Sequence, residues 1–131
     1  MSNIPQNLRY TKTHEWVRKE SDGSFTLGIT DHAQSLLGDI VFIDVPKVSS
    51  DYAAGKECCV IESVKAASDV YMPIAGKIKA VNDALTTAPN LVNADPYNEG
   101  WLFKFDAVSA TDFESLLDAA AYTAVEQADA H

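Results

Sequence analysis

Positive charge is scarce in this sequence. The 131 residues include ten Lys and Arg against nineteen Asp and Glu, which gives a formal net charge of −9. An acidic chain is repelled by the phosphates of nucleic acids and by anionic lipid surfaces. We therefore expect no nucleic-acid partner and no membrane partner. The scarcity is most pronounced towards the C-terminus, where Lys104 is the last cation and six acidic residues follow it.

Cysteine and long hydrophobic runs are also scarce. The two cysteines, Cys58 and Cys59, are neighbours in sequence, so a disulfide framework is excluded. No apolar run approaches the length of a membrane span. The first five residues lack a charged segment followed by an apolar stretch, so we expect no secretory signal. Together these absences predict a reducing, soluble compartment.

Short β-strands separated by turn residues make up most of the chain. Predicted strands cover residues 16–19, 25–29, 40–45, 57–62, 69–72, 77–81 and 101–105. Ser-Asp-Gly-Ser at residues 21–24 predicts a hairpin between the first two strands. Many short strands with frequent turns are typical of a sandwich or a barrel. Alternation along a strand would place one of Cys58 and Cys59 in the core and the other at the periphery.

Helices are predicted at two places. Asp-His-Ala-Gln at residues 31–34 has the spacing of a capping box with its Asp as the N-cap, and Gly38 suits the position after a helix of about two turns. Thr-Asp-Phe-Glu at residues 111–114 is a second capping-box candidate, and the Ala-rich stretch 118–128 has strong helix propensity. Residues 82–98 contain two prolines and several asparagines, which predicts irregular chain.

A single lysine stands near the centre of the most informative segment. Lys65 lies ten residues after Gly55 and eleven before Gly76, with β-forming residues on both sides, which predicts a hairpin with Lys65 at or near its tip. Its neighbours Val64 and Ala66 are uncharged and leave the amine sterically open. Such an amine suits modification by other enzymes, because acylation removes its charge and extends the side chain into a mobile arm. By residue type alone, a plain solvated lysine at a hairpin tip remains the alternative.

Glu-Ser-Val-Lys-Ala-Ala-Ser-Asp at residues 62–69 resembles the lipoyl-attachment motif of the glycine cleavage system H-protein family. Further motifs of that family follow in order along nearly the whole chain: Thr-His-Glu-Trp-Val at 13–17, Gly-Ile-Thr-Asp-His-Ala-Gln at 28–34, Pro-Ile-Ala-Gly at 73–76, Asn-Ala-Asp-Pro-Tyr-Asn-Glu-Gly-Trp at 93–101, and Leu-Leu at 116–117 followed by Ala-Tyr at 121–122. The departures are Cys58 and Cys59, where small residues and Val are typical, and Met72 and Ala75, where Ser is common. They leave the attachment motif unchanged.

The resemblance implies a fold and a domain plan. The family is mainly β, a flattened barrel-sandwich hybrid of short antiparallel strands with a lipoyl-type hairpin and a short helical C-terminus. It implies a single lipoyl-carrier domain over residues 1–131, with the lipoyl-type core at about 25–106 and the helical C-terminal segment at about 111–128. We expect a monomer.

The resemblance also implies a carrier that is not itself an enzyme. Lipoate, joined to Lys65 by a lipoate ligase or an octanoyltransferase, would carry the aminomethyl group of glycine from a pyridoxal-phosphate-dependent glycine decarboxylase to a tetrahydrofolate-dependent aminomethyltransferase. Dihydrolipoyl dehydrogenase, with FAD and NAD, would then reoxidise the dithiol. The expected compartment is the bacterial cytoplasm, or the mitochondrial matrix if the chain is a processed eukaryotic one. The flank recognised for attachment would be Glu62, Ser63, Val64, Ala66 and Asp69.

Two acidic residues in family-like motifs are candidates for protecting the loaded arm. The aminomethyl adduct carries an amine that is cationic at neutral pH, and a nearby carboxylate could hold it by a charge-assisted hydrogen bond. We expect Glu15 and Asp69 to line a cleft for the arm, with Thr13 as a possible hydroxyl partner. The alternative is that both acids are exposed residues at strand ends.

The residues leave other functions open. A lipoylation relay to 2-oxoacid dehydrogenase complexes would use the same lysine chemistry, and an unmodified β-scaffold is also possible. A biotin carrier typically has Met on both sides of its lysine, unlike this chain. A thiol hydrolase would need Cys58 or Cys59 in an ordered triad, which the sequence does not indicate. His14 and His32 show no metal-ligand spacing, so we expect them to be structural or cap-proximal.

Overall fold

Residues 3–129 are described by a computed structural model, and they form two antiparallel sheets together with short helices. No helix in this range is long and apolar enough to cross a bilayer. The elements are β1 (Arg9–Tyr10), β2 (Glu15–Lys19), β3 (Phe25–Ile29), α1 (Asp31–Leu37), β4 (Ile40–Asp44), β5 (Asp51–Tyr52), β6 (Glu57–Ser63), β7 (Ala67–Tyr71), β8 (Gly76–Val81), α2 (Ala84–Thr87), α3 (Leu91–Ala94), β9 (Phe103–Ala107), a 3-10 helix (Ala110–Ser115) and α4 (Ala119–Asp129).

The larger sheet has the strand order β1-β2-β3-β9-β8-β5, and the smaller sheet has the order β4-β6-β7. Every strand pairing recorded between residues 3 and 129 is antiparallel, and the two sheets do not close into one barrel. The predicted class, a mainly β barrel-sandwich hybrid with a short helical C-terminus, is confirmed. The main core lies between the sheets and includes the fully buried Phe25, Phe103 and Phe105.

A second buried cluster explains why β3 is buried along its whole length. Tyr10, Trp16 and Tyr122 pack together, with the rings of Tyr10 and Tyr122 stacked 4.7 Å apart, so α4 covers the sheet face opposite the main core. Gly28 allows this packing, because a Cβ at that position would lie 2.6 Å from the indole of Trp16. Burying an aromatic side chain of this size contributes roughly 1.5–3 kcal/mol, so α4 is part of the folded structure rather than an appendage.

The predicted strands are confirmed with shifts of one or two residues, except that the last begins at Phe103 rather than at 101. The Trp101 N–H donates to the Asn98 carbonyl at 3.2 Å and its carbonyl accepts from the Asn82 side chain at 2.8 Å, so both backbone groups are bonded outside the strand ladder. The expectation for the cysteines was wrong, because Cys58 and Cys59 are both buried. The register of β6 against β7 shifts between Glu57 and Cys59, and this bulge interrupts the alternation of faces.

The first predicted helix is confirmed as α1, but its N-cap is Thr30 rather than Asp31. The Thr30 hydroxyl accepts the backbone N–H of Ala33 at 3.2 Å, while Gln34 donates to the Asp31 carboxylate at 2.8 Å inside the first turn. Gly38 follows the helix with a φ of 77°, as its spacing predicted.

Of the remaining helical predictions, one is confirmed and two are wrong in part. The Ala-rich stretch is α4, one residue later than predicted. The capping box at residues 111–114 is not formed, because a short 3-10 helix begins there after Ser109. Residues 82–98 are not wholly irregular, since α2 and α3 each make a single turn. Leu85 and Val92 bury their side chains in the main core, which stabilises these turns despite a poor local pattern.

Candidate functional site

Lys65 lies at the tip of the β6–β7 hairpin, as the sequence predicted. Glu62 pairs with Ala67 at the last rung of the ladder, and the Ser63 N–H donates to the Ala66 carbonyl at 2.8 Å to close the turn. The Ser63 hydroxyl oxygen also accepts the backbone N–H groups of Lys65 and Ala66, at 3.3 and 3.1 Å. The turn is therefore held by backbone and side-chain bonds together, which gives the lysine a defined starting point.

The amine of Lys65 is open to solvent. The residue is exposed, and no carboxylate among residues 3–129 lies within ion-pairing distance of its ammonium. Its aliphatic stem lies beside Gly38 at the end of α1, where an added Cβ would be 3.3 Å from Lys65 Cε. A side chain at position 38 would crowd the stem, so the absence of a Cβ keeps the base of the arm free.

The flank of the lysine is accessible as well. Glu62, Val64, Ala66 and Asp69 are exposed, and Ser63 is half-buried because its hydroxyl closes the turn. The Val64 N–H donates to the Asp39 carbonyl at 3.0 Å, which ties the tip to the chain that follows α1. These side chains and the amine are therefore accessible together.

A cleft of about 150 Å³ opens between α1, the start of β2 and β7. The polar residues that line it are Thr13, His14, Glu15, Ser68 and Asp69. Its apolar lining comes from Ile29, Ala33, Leu36, Leu37, Ile61 and Val70. The structure thus brings Thr13, Glu15 and Asp69 to one cavity. Asp69 lies on β7 of the hairpin that carries Lys65, whereas Glu15 lies at the start of β2 and Thr13 in the turn before it.

Glu15 forms the floor of this cleft and is almost completely buried. One carboxyl oxygen accepts hydrogen bonds from the hydroxyls of Thr11 and Thr13, each at 2.5 Å. The other accepts the Tyr71 N–H at 3.1 Å. Burial raises the pKa of the Glu15 carboxyl, and these hydrogen bonds oppose the rise. The alternative of an exposed strand-end acid is wrong for Glu15, whereas Asp69 is exposed.

Sequence reasoning missed Thr11. Residues 12–14 form a turn, with the His14 N–H donating to the Thr11 carbonyl at 3.2 Å, and this turn brings both threonine hydroxyls back to Glu15. Strand alternation therefore gave no signal for Thr11. The contribution of Tyr71 could not be found from the sequence either, because the strand that carries it is 56 residues further along the chain.

The thiols of Cys58 and Cys59 are not placed for nucleophilic chemistry. Both are buried, and burial is the main cause that raises the pKa of Cys58 to about 12 and that of Cys59 further. A thiol held in this protonated state is a poor nucleophile. These two residues therefore belong to the core.

The fold and the hairpin define a carrier domain of the lipoyl type: a lysine at the tip of a hairpin, two antiparallel sheets beneath it, and a cleft beside it. The sequence profile of the family described as Glycine cleavage H-protein matches residues 8–129 of this chain.

Individual relatives agree with this match. The chain is 58% identical to the glycine cleavage system H protein of Enterobacter sp. (strain 638), over 95% of this chain and 97% of that protein. It is 59% identical to the glycine cleavage system H protein of Escherichia coli O45:K1, over the same shares of the two chains. It resembles the crystal structure of a glycine cleavage system H protein from Mycobacterium marinum, with a TM-score of 0.84 and 35% identity over 92% of this chain and 97% of that one. The chain belongs to the glycine cleavage H-protein family, and its role is that of a lipoyl carrier in glycine cleavage.

Proposed function

We propose that Lys65 is the residue that carries lipoate, in amide linkage, and that the protein is a non-catalytic carrier. The single observation that supports this assignment is the exposed amine at the tip of a hydrogen-bonded turn, which has no ion-pair partner among residues 3–129. A modifying enzyme needs a nucleophilic nitrogen that it can reach and that no neighbouring carboxylate holds. Glu62, Ser63, Val64, Ala66 and Asp69 form the surface against which that enzyme, a lipoate ligase or an octanoyltransferase, reads the site.

The lipoyl group supplies the thiol and redox chemistry, and the protein supplies reach and docking. A group tethered to the tip meets an enzyme docked on the same chain at an effective concentration set by the length of the arm. The partner enzymes we propose are a pyridoxal-phosphate-dependent glycine decarboxylase, a tetrahydrofolate-dependent aminomethyltransferase and the flavoenzyme dihydrolipoyl dehydrogenase, which uses NAD. The bacterial relatives favour the bacterial cytoplasm as the compartment.

The cleft protects the loaded arm in this proposal. The aminomethyl group on the arm is an ammonium at neutral pH, and Glu15 is a buried carboxyl whose pKa is raised by burial. An ammonium that enters the cleft favours the ionised form of Glu15 and donates a charge-assisted hydrogen bond to its carboxylate, worth about 1.5–3 kcal/mol. Asp69 at the exposed side adds a second carboxylate, and the Thr13 hydroxyl helps to orient Glu15.

Intact-mass measurement after incubation with lipoate, ATP and a lipoate ligase tests the assignment of Lys65. We expect one lipoyl group per wild-type chain, mapped to the peptide that contains Lys65, and none on K65R. K56R and K77R are the matched controls, because both lysines are exposed and flank the same hairpin, and both variants should be modified like the wild type. Modification of K65R, or loss of modification in K56R, would overturn the assignment.

Glycine–bicarbonate exchange with purified glycine decarboxylase then tests the role in glycine cleavage. Lipoylated wild type should support exchange, and K65R should not. A lipoylated chain that supports no exchange but donates its lipoate to a 2-oxoacid dehydrogenase subunit would instead be a lipoylation relay.

A further inference from the structure

Two histidines and one carboxylate from three distant segments meet beside the cleft. His14 lies in the turn before β2, His32 in the first turn of α1, and Asp129 at the end of α4. The ring nitrogens and a carboxylate oxygen all lie within 4.8 Å of one another. The positions of these histidines in the sequence show no metal-ligand spacing and predicted no ligand role; the fold brings them together.

The distances suit a common metal ion. His32 Nε2 lies 2.9 Å and His14 Nε2 lies 3.4 Å from the same oxygen, Asp129 Oδ2. Two ligands about 2.1 Å from a tetrahedral zinc ion are separated by about 3.4 Å. The edge from Asp129 to His14 already has this length, and the edge from Asp129 to His32 reaches it with a lengthening of about 0.5 Å. The edge between the two histidine nitrogens is at most 4.8 Å, so it closes to this length with a shortening of at most about 1.4 Å, shared between two side chains. The two rings are 4.9 Å apart between centroids and tilted by 47°, so neither blocks the other.

A second layer of hydrogen bonds holds the His14 ring. The Nδ1 atom of His14 lies 2.7 Å from the Tyr122 hydroxyl, which lies 2.7 Å from the hydroxyl of Thr30. Because the hydrogen bond with the Tyr122 hydroxyl occupies Nδ1, the Nε2 atom of His14 is the one left to bind a ligand. Metal-binding histidines commonly have their second ring nitrogen fixed in this way. The two hydroxyls can also reverse their donor and acceptor roles, which lets Nδ1 carry the proton when Nε2 binds a metal.

The surroundings are partly desolvated yet open on one side. The side chains of His14 and His32 are 17% and 14% exposed, while that of Asp129 is 44% exposed, so an ion can enter past the carboxylate. Burial is the main cause that lowers the pKa of His14, against the opposing carboxylates of Asp129 and Glu126. The neutral imidazole that burial favours is the form that binds metals.

We propose that His14, His32 and Asp129 bind one divalent first-row transition-metal ion of the zinc type, with water completing its coordination. Imidazole nitrogens together with a carboxylate oxygen select such ions over calcium and magnesium, which prefer oxygen ligands. A bound ion would link the end of α4 to α1 and to the turn before β2. The proposal does not depend on lipoylation.

Isothermal titration calorimetry of the untagged, unlipoylated chain with Zn²⁺ tests the proposal, because the thiols of a reduced lipoyl group would otherwise bind zinc. We expect one ion per wild-type chain. H14N, H32Q and D129N should each lower the affinity at least roughly tenfold, the lower end of what the loss of a supporting outer-shell group alone costs. Asn is chosen at position 14 because His14 has a φ of 72°, which Asn tolerates.

Two matched controls separate this cluster from other zinc ligands. D112N removes an exposed acid of the 3-10 helix, and H131Q removes the third histidine, which lies outside the described residues. Both variants should bind zinc like the wild type. An affinity unchanged in the H14N/H32Q/D129N triple variant, loss of binding in H131Q alone, or no binding at about 1 mM Zn²⁺ would each overturn the proposal.

Thermal unfolding gives a second readout that a weakened fold would not imitate. An ion that binds only the folded chain raises its midpoint by mass action. Zinc should therefore raise the unfolding midpoints of the wild type and of D112N equally, and raise that of D129N by less at the same zinc concentration. Equal rises in D112N and D129N would contradict the assignment of Asp129 as a ligand.

Discussion

The hairpin tip and the floor of the cleft place two charged residues in opposite environments. Lys65 is exposed and has no ion-pair partner among residues 3–129. Glu15, on β2 of the larger sheet, is almost completely buried and accepts hydrogen bonds from Thr11, Thr13 and Tyr71. The amine can leave the protein surface to meet another enzyme, whereas the carboxyl is fixed in place.

This difference separates two requirements of a carrier. An attachment residue needs access, so its side chain contributes little to folding. A residue that holds a cationic group needs a preorganised, partly desolvated site, and the same hydrogen bonds that orient it also stabilise the fold. A change at Lys65 should therefore affect function without affecting stability, and changes at the floor should affect both.

Truncation of Glu15 should give the largest effect on stability. E15A leaves the Tyr71 N–H and two threonine hydroxyls facing a buried space without their acceptor, and we expect a loss of about 2 kcal/mol in the free energy of unfolding. K65A should change it by no more than about 0.5 kcal/mol, as is usual for an exposed residue. Urea denaturation of both variants measures the contrast. Equal losses in the free energy of unfolding for E15A and K65A would show that the attachment residue and the cleft residue do not differ in their contribution to folding.

The lifetime of the aminomethyl adduct should be the next largest effect. In the E15Q/D69N double variant, hydrolysis of the loaded arm to free thiol, formaldehyde and ammonia should be about tenfold faster. That factor corresponds to about 1.4 kcal/mol, slightly below the range for one hydrogen bond to a charged group. Formaldehyde release from the isolated loaded protein measures it. E62Q is the control, since Glu62 is an exposed acid of the same hairpin that does not line the cleft. A double variant as long-lived as E62Q would show that the carboxyls do not hold the amine.

The tip could be predicted from sequence because its causes are local. Small residues around Lys65, β-forming residues on both sides and glycines at either end define a hairpin without reference to the rest of the chain. Gly38 could be placed after α1 for the same reason, since a helix end with positive φ favours glycine.

The floor of the cleft could be predicted only in part. The motif indicated Glu15, but its burial depends on the packing of α1 and β7 around it. The Tyr71 N–H, on the other sheet, donates to its carboxyl only because the fold brings the two sheets together. The burial of both Cys58 and Cys59 depends on a bulge in β6 that no residue of that strand predicts. The convergence of His14, His32 and Asp129 needs the docking of α4 on the larger sheet, which is a tertiary event.

The pH dependence of stability should distinguish Glu15 from an ordinary surface acid. Because burial raises the pKa of Glu15 in the folded chain, its protonated form is favoured by folding. Its contribution is fully present below the pKa of the unfolded chain and is lost as the pH rises through the folded value. The free energy of unfolding of the wild type minus that of E15Q should therefore fall as the pH rises from about 4.3, by at most about 1.4 kcal/mol per pH unit, and then level off. A difference that rises with pH over this interval would mean that the hydrogen bonds outweigh burial.

Loss of the Ser63 hydroxyl should have the smallest effect and tests whether the tip needs its turn held. The hydroxyl is half-buried and accepts two backbone N–H groups of the turn, so S63A should lower the free energy of unfolding by about 0.5–1 kcal/mol. If the same turn orients Lys65 for its modifying enzyme, kcat/KM for lipoylation should fall roughly twofold to fivefold, which corresponds to that free energy. S63T keeps the hydroxyl and should retain most of the rate. A lipoylation rate in S63A equal to that of the wild type, with the expected loss of stability, would mean that access alone, and not orientation, makes the tip a substrate.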